Sequence, residues 1–475
     1  MNRSIRRLYL ALAAGFGLLM LMLGYWQVVA AGGLQDRPGN VQTAQADRLV
    51  DRGRIISADG KVMAASRAVR VKGQKVYERL YPQGGLAAQT IGYTSLDAET
   101  GLERTYDRYL SGSFGTQPLL QRLNLSEKEG ANVEISLDTR VQAVAQDQLA
   151  AGRGAVVALD PTTGRVIAMA SSPTFDLQLA VDDFAAIPEE GGPLLNRAVQ
   201  GLYAPGSTFK AVTASEALDS GLYTPDSEFP GGSEYDTPGG EIRNFGNASY
   251  GPHTLTTALT FSINTTFAEI GDSLGSERMG EIMTAYGFGE RPPVDLPDVA
   301  VSGRRRGDEV LPNDEEGEDT ARLAIGQEQL AVTPLQMTMV AGAIANGGTA
   351  MAPRLMTRIV DRGGSVVQRG EPQEIGQVMS PAYAAELASM MEDVVREGTG
   401  TRAALSGVGV TVAGKTGTAE SDDPNRNQAW FIGFAPAEDP SVAVAVVIED
   451  TSSTGGEAAA PVAAAVMESA LEAAP

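Results

Sequence analysis

The sequence predicts an α/β protein of the α+β type, in which helices cover both faces of an antiparallel sheet. A small mixed N-terminal domain and one membrane-crossing helix precede it. Three observations carry this reading. Two apolar hairpins stand far apart in the chain, at 154–159 with 165–170 and at 430–435 with 442–448, and helical stretches flank them. Segments before residue 131 are short and irregular. Residues 8–26 form an apolar run that matches the roughly 20 residues needed to span a bilayer.

Composition narrows the function classes. At 475 residues the chain has material for two or more domains and a large core. Its 37 basic and 59 acidic residues leave a net charge of −22, which argues against nucleic acid or an anionic membrane surface as the main partner. The absence of cysteine excludes disulfides, zinc fingers and thiol catalysis. A Ser-His-Asp triad would have to use His253, whose Gly251-Pro252-His253-Thr254 setting reads as a turn.

Arg3, Arg6 and Arg7 precede the apolar run, and Tyr25 and Trp26 end it. This places the N-terminus in the cytoplasm and the bulk of the chain outside. Val28-Val29-Ala30 resembles a small-residue cleavage site, so a cleaved signal peptide is the alternative to an uncleaved anchor. Residues 32–48 read as a polar tether. From 51 to 64 two short strands are expected around Asp59-Gly60. From 65 to 130 the pattern is weak, with a short helix at 106–110. The expected units are therefore 1–31 (tail and anchor), 32–130 (tether and small domain) and 131–475 (the main domain).

In the main domain Val133 to Leu137 alternates as a strand, and Asp138 can cap a helix with Val141, Val144, Ala145 and Leu149 on one face. Asp160-Pro161-Thr162-Thr163-Gly164 supplies the turn of the first hairpin, and 436–440 that of the second. Thr333-Pro334-Leu335-Gln336 opens a helix with both capping-box residues. Ser380-Pro381 starts another, with Leu387, Met390, Met391, Val394 and Val395 inward, and an Ala-rich helix after Pro461 closes the chain. Arg304-Arg305-Arg306 and the acidic run at 314–319 read as solvated loop charges rather than a metal or phosphate site.

Three segments carry chemistry. In Tyr203-Ala204-Pro205-Gly206-Ser207-Thr208-Phe209-Lys210 a turn runs into a helix that ends at Ser220-Gly221. Ser207 then lies in the first turn, where unpaired N–H groups favour negative charge, and Lys210 follows one turn on, within reach of its hydroxyl. A serine needs such a base to become a nucleophile. In the second segment, Ser262 and Asn264 stand at a loop–helix junction, with Thr266 and Glu269 as a capping box. The third, Val412-Ala413-Gly414-Lys415-Thr416-Gly417-Thr418-Ala419, reads as a strand. Its Lys415, Thr416 and Thr418 would form an anion-binding rail, and Gly417 would let a ligand approach the backbone. Ser-x-x-Lys alone arises by chance on the order of once in such a chain, and Lys-Thr-Gly in about one chain in ten. The ordered trio is improbable by accident.

Together, Ser207-x-x-Lys210, Ser262-x-Asn264 and Lys415-Thr416-Gly417 resemble the motif set of penicillin-binding proteins and serine β-lactamases, with Ile263 where Asp is usual. The resemblance is to class B penicillin-binding proteins, the monofunctional peptidoglycan D,D-transpeptidases, and within them to the compact-pedestal penicillin-binding protein A type of actinobacteria. Arg52-Gly53 with Asp59-Gly60 and Met63-Ala64, then Gly101-Leu102-Glu103 with Tyr106-Asp107, resemble the pedestal motifs of that family. Trp430-Phe431-Ile432-Gly433-Phe434 resembles the strand that follows Lys-Thr-Gly.

The resemblance implies that Ser207 is acylated by the stem peptide, with Lys210 as its base, and that Ser262 relays the proton. Asn264 would hold the substrate amide, while Lys415, Thr416 and Thr418 grip the terminal carboxylate. The N–H groups of Ser207 and Thr418 would bind the oxyanion. Peptidoglycan stem peptides ending in D-Ala-D-Ala, β-lactams and a membrane-embedded polysaccharide polymerase are the implied partners, with no cofactor and no metal. The alternatives are a β-lactamase, for which Glu309-Val310-Leu311-Pro312-Asn313 offers an imperfect Glu-x-x-Leu-Asn, and a β-lactam sensor or non-catalytic scaffold.

Overall fold

The structure is a computed structural model that describes residues 3–26, 49–95, 98–114, 129–149, 152–314, 319–327, 329–420, 423 and 426–474. The expected tether at 32–48, the cleavage-site candidate at 28–30 and most of the acidic run lie outside the described residues. Helix α1 (Arg3–Gly24) covers nearly all of the apolar run. Its stretch Ile5–Gly24 is long and apolar enough to cross a membrane.

Two sheets organise the rest. The first uses β1 (Ile55–Ile56), β2 (Val62–Val71), β3 (Gln74–Leu80) and β4 (Asn132–Ile135). Short helices α2 (Gly101–Thr105) and α3 (Asp107–Leu110) lie between β3 and β4. After β4 come α4 (Thr139–Leu149) and the hairpin β5 (Gly154–Leu159) and β6 (Val166–Ser172). The helices α5 (Lys210–Asp219), α6 (Asn264–Ala285) and α7 (Pro334–Ala345) follow, then β7 (Met356–Val360), β8 (Val366–Arg369) and α8 (Pro381–Arg396). The chain ends with β9 (Ala413–Ala419), β10 (Asn427–Ala435), β11 (Val442–Thr451) and α9 (Gly455–Ala473).

The second sheet has the order β9-β10-β11-β5-β6, with every neighbouring pair antiparallel. Its two faces are assigned by strand alternation. Val156, Ala158, Phe431, Val444 and Val446 face α4 and α9 in one core, while Ala155, Val157, Ile432, Ala443 and Ala445 face the α5–α7 side in the other. Helix α7 is buried nearly all round, which is why Met337, Val340, Ala341 and Ile344 do not form one narrow stripe. The result is a helix–sheet–helix sandwich with β9 as an open edge.

The first sheet runs β8-β7-β4-β1-β2-β3. Strands β7 and β8 come from the C-terminal half, so this sheet ties both halves of the chain together. Behind it, Arg52 and Arg79 converge on Glu103, at 3.3 and 2.6 Å, with Arg52 also 2.7 Å from Asp107. Glu103 is fully buried. The two N-terminal motifs thus meet in one ionic knot, in which each buried charge has a partner.

Several expectations differ from the structure. The β2–β3 hairpin falls in a region without apparent pattern, because few of its side chains are buried and its turn rests on left-handed Lys72 and Gly73. Arg304, Arg305 and Arg306 lie in a strand, Gly303–Arg306, rather than a loop, with Arg304 buried and donating to the Pro312 carbonyl. Helix α9 begins at Gly455, with Thr454 and Glu457 as its capping box, and carries Pro461 inside. Thr266 and Glu269 do not cap α6: it starts at Asn264, and the Thr266 hydroxyl lies 2.8 Å from His253 Nε2. Gln336 completes only half of its box. It takes the Thr333 hydroxyl with its N–H, and its side chain donates to the Tyr286 carbonyl.

Candidate active site

Ser207 lies in a 3₁₀ turn, Gly206–Phe209, that passes directly into α5 at Lys210. The turn depends on Gly206 at φ +52°. The Gly206 N–H donates to the Gly326 carbonyl at 3.2 Å, and the Thr208 hydroxyl donates to the Pro205 carbonyl at 2.8 Å. Ser207 itself is half-buried, at the mouth of a site whose floor is closed.

That floor holds two lysines, Lys210 and Lys415, both fully buried. Lys210 Nζ lies 2.8 Å from the Ser262 carbonyl, 2.7 Å from Asn264 Oδ1 and 3.3 Å from Ser262 Oγ. Lys415 Nζ donates to Ser262 Oγ at 2.9 Å and to the Thr416 carbonyl at 3.0 Å. Ser262 can face both amines because its backbone is left-handed, at φ +60°. For a residue other than glycine this stores about 1–3 kcal/mol, a cost common at functional sites. Burial and then the charge of Lys415 push Lys210 well below the usual lysine range. Burial alone lowers Lys415 to about 7. The arrangement suits a neutral Lys210 with a free lone pair and a Lys415 that is about half charged near pH 7 and donates to Ser262 in either form.

Lys210 was expected to reach Ser207. Its amine instead turns to the 262–264 segment, and Ser207 Oγ has no hydrogen bond with any described residue. Catalytic hydrogen bonds are often long or poorly aligned without substrate and tighten in the complex. Asn264 is fixed from its other end, where Nδ2 donates to the Arg243 carbonyl at 2.8 Å.

Strand β9 supplies the opposite wall. Successive residues of a strand point to opposite faces, and here Lys415 reaches Ser262 while Thr416 turns to Thr399, with their hydroxyls 2.6 Å apart. Thr418 Oγ accepts from the Gly455 N–H at 3.2 Å, at the start of α9. The expected rail is thus not a single row: Thr416 is committed to Thr399, and Thr418 stays half-exposed. Gly417 also has a different first task. A Cβ there would lie 2.8 Å from the Pro205 carbonyl and 3.0 Å from the Thr208 N, so its lack of a side chain admits the Ser207 turn. Thr399 and Gly326 join the site without forewarning, since neither belongs to a recognisable spacing.

His253 stands apart. Its ring nitrogens lie 2.7 Å from the Gly251 carbonyl and 2.8 Å from Thr266 Oγ1, and it stacks on Phe229. Glu309, which the hydrolase alternative would use, lies in a short strand paired with Arg306.

Comparison with known proteins agrees with this geometry. The family model for the penicillin binding protein transpeptidase domain matches residues 154–468, and that for the penicillin binding protein A dimerisation domain matches 52–133. Peptidoglycan D,D-transpeptidase PbpA of Mycolicibacterium smegmatis is 36% identical over 505 residues, covering 99% of this chain and 99% of that protein. PbpA of Mycobacterium tuberculosis is 33% identical over 512 residues, 100% of each. Among solved structures, the imipenem acyl-enzyme complex of penicillin-binding protein A from M. tuberculosis superposes with a TM-score of 0.79 at 30% identity, over 90% of this chain and 99% of that one. The D,D-transpeptidase domain of a peptidoglycan glycosyltransferase from Eggerthella lenta gives 0.77 at 33%, over 90% and 99%. With the three motifs meeting around one site and relatives matched over its full length, this chain belongs to the penicillin-binding protein transpeptidase family.

Proposed function

We propose that this protein is a peptidoglycan D,D-transpeptidase that cross-links stem peptides through an acyl-enzyme on Ser207, and that β-lactams trap it covalently. One observation carries the reading. Lys210 and Lys415 converge on Ser262 directly behind the Ser207 turn, and Lys210 also reaches Asn264. The names of the full-length relatives and the acyl-enzyme form of penicillin-binding protein A support it.

In this scheme neutral Lys210 takes the proton as Ser207 Oγ bonds to the carbonyl between the last two D-alanines. The oxyanion is held by the N–H groups of Ser207 and Thr418; loss of one such donor costs about 3–4 kcal/mol. The C–N bond then breaks, and Ser262 passes a proton to the departing D-alanine. Asn264 holds the substrate amide. Lys415 and Thr418 meet the terminal carboxylate, and Thr416 contributes through its pairing with Thr399. An amine of a neighbouring stem attacks the ester, and Ser207 regains its proton.

The division proposed is an anchor within 1–31, a pedestal to residue 130 and a transpeptidase domain at 131–475. The anchor would leave the N-terminus in the cytoplasm and the catalytic domain outside. Anchor and pedestal would meet a membrane-embedded polysaccharide polymerase.

A fluorescent penicillin is expected to label the wild type in one-to-one stoichiometry and not to label Ser207→Ala. Persistent labelling of that variant would remove Ser207 from the scheme. Rapid turnover of nitrocefin would point to hydrolysis instead.

A further inference from the structure

The residues just before the nucleophile are held by a buried ionic group that lies outside the three motifs. Glu449, near the end of β11, is about 10% exposed and takes three contacts, one from each of three donors. Tyr203 Oη donates to Glu449 Oε1 at 2.7 Å, and Arg197 Nε to the same oxygen at 2.8 Å. Arg153 Nη2 lies 2.9 Å from Oε2. Arg197 is 1% exposed and Tyr203 7%. Two arginines already balance the carboxylate, so the tyrosine hydroxyl is not needed to neutralise charge. Its effect is directional: it fixes the ring of the residue four places before Ser207.

That ring has a second contact with the site. Tyr203 packs edge-on against Trp430, with centroids 6.0 Å apart at 75°. The Trp430 indole N–H donates to the Ala204 carbonyl at 3.0 Å. In the sheet, Trp430 is the register partner of Gly417, one residue before Thr418. Trp430 therefore touches both sides of the gap between the Ser207 turn and β9. Tyr203 is locked independently at its backbone, exchanging hydrogen bonds with Val332 at 3.0 and 2.8 Å. Gly201 leaves room for the ring, since a Cβ there would fall 2.4 Å from Tyr203 Oη.

We infer that Tyr203 and Glu449 are positioning residues for acylation. Through Trp430 they set the separation between the Ser207 turn and the strand bearing Thr418. The inference rests on Ser207 being the acylated residue, and it adds a specific source for the precision of the oxyanion site. Small displacements of reacting groups cost rate rather than ground-state affinity when the contact forms chiefly in the transition state.

The test is stopped-flow acylation of the full-length protein by a fluorescent penicillin, with the noncovalent Kd, the acylation constant and the labelled fraction measured separately. Tyr203→Phe keeps the ring and every charge. It is expected to lower the acylation constant roughly tenfold while Kd stays within about twofold and labelling still reaches completion. Glu449→Gln, which keeps an acceptor for Tyr203, is expected to lose less. A Tyr203→Phe protein that acylates at the wild-type rate overturns the inference. So does one whose only defect is a smaller labelled fraction or a lower melting temperature, which a purely structural role would produce. Ser207→Ala separates the two readings: if it is still labelled, the nucleophile assignment fails, whereas an unlabelled Ser207→Ala beside an unimpaired Tyr203→Phe refutes only the positioning role.

Discussion

Gly417→Ala offers a direct perturbation of the gap between nucleophile and strand. The added Cβ would lie 2.8 Å from the Pro205 carbonyl oxygen, 2.9 Å from Thr208 Cγ2 and 3.0 Å from the Thr208 N. Two of these three atoms are backbone of the turn that carries Ser207, so no side-chain rotation relieves them. An ordinary van der Waals separation is about 3.5 Å, so turn and strand must part by roughly half an ångström or more. Catalytic constellations tolerate about 0.5 Å of error, and one lost oxyanion donor costs about 3–4 kcal/mol. The expected result is a fall of roughly 100-fold in the acylation constant, because displacement weakens a donor rather than deleting it. Stopped-flow labelling with a fluorescent penicillin reads the rate, and a thermal melt read alongside shows whether the fold persists. Acylation within about threefold of wild type in a folded Gly417→Ala protein would refute this account of the site.

Two further perturbations probe the buried charges. Burial lowers Lys415 from 10.5 to about 7, so between those values the unfolded chain binds a proton that the folded chain lacks. The group therefore destabilises the protein increasingly as pH falls from about 10.5 towards 7. Lys415→Met should be more stable than wild type by a margin that is largest near pH 7 and shrinks by roughly 1 kcal/mol per unit towards pH 10, while its acylation slows at least about 100-fold. Urea denaturation across that range checks it, and a margin independent of pH counts against it. Near the first sheet, Glu103→Gln leaves Arg52 and Arg79 buried without their shared carboxylate. The expected loss is about 3 kcal/mol in urea denaturation, and a loss below about 1 kcal/mol would show that water or neighbouring acids compensate.

Much of this protein was legible without coordinates, for reasons of local physics. Two apolar strand pairs, each joined by turn residues, marked the hairpins later found in the main sheet, while their faces had to await the structure. Pro after a capping Ser or Thr marked the starts of α7 and α8, as found at Thr333 and Ser380. The three spacings carried the resemblance to penicillin-binding proteins, and that resemblance implied the chemistry. Exposed or half-exposed pieces such as the β2–β3 hairpin were not legible, because without a buried face there is no period to read.

Tertiary structure alone decided the relations between distant segments. It turned Lys210 towards Ser262 rather than Ser207, split Thr416 from Lys415, and set Gly417 against the nucleophile turn. It also brought Tyr203, Trp430 and Glu449 together across more than 200 positions of chain. The identity of each reacting group follows from its own functional group and nearest neighbours in sequence. Its direction and ionisation are set by burial and long-range packing, and these exist only once the sheet has closed.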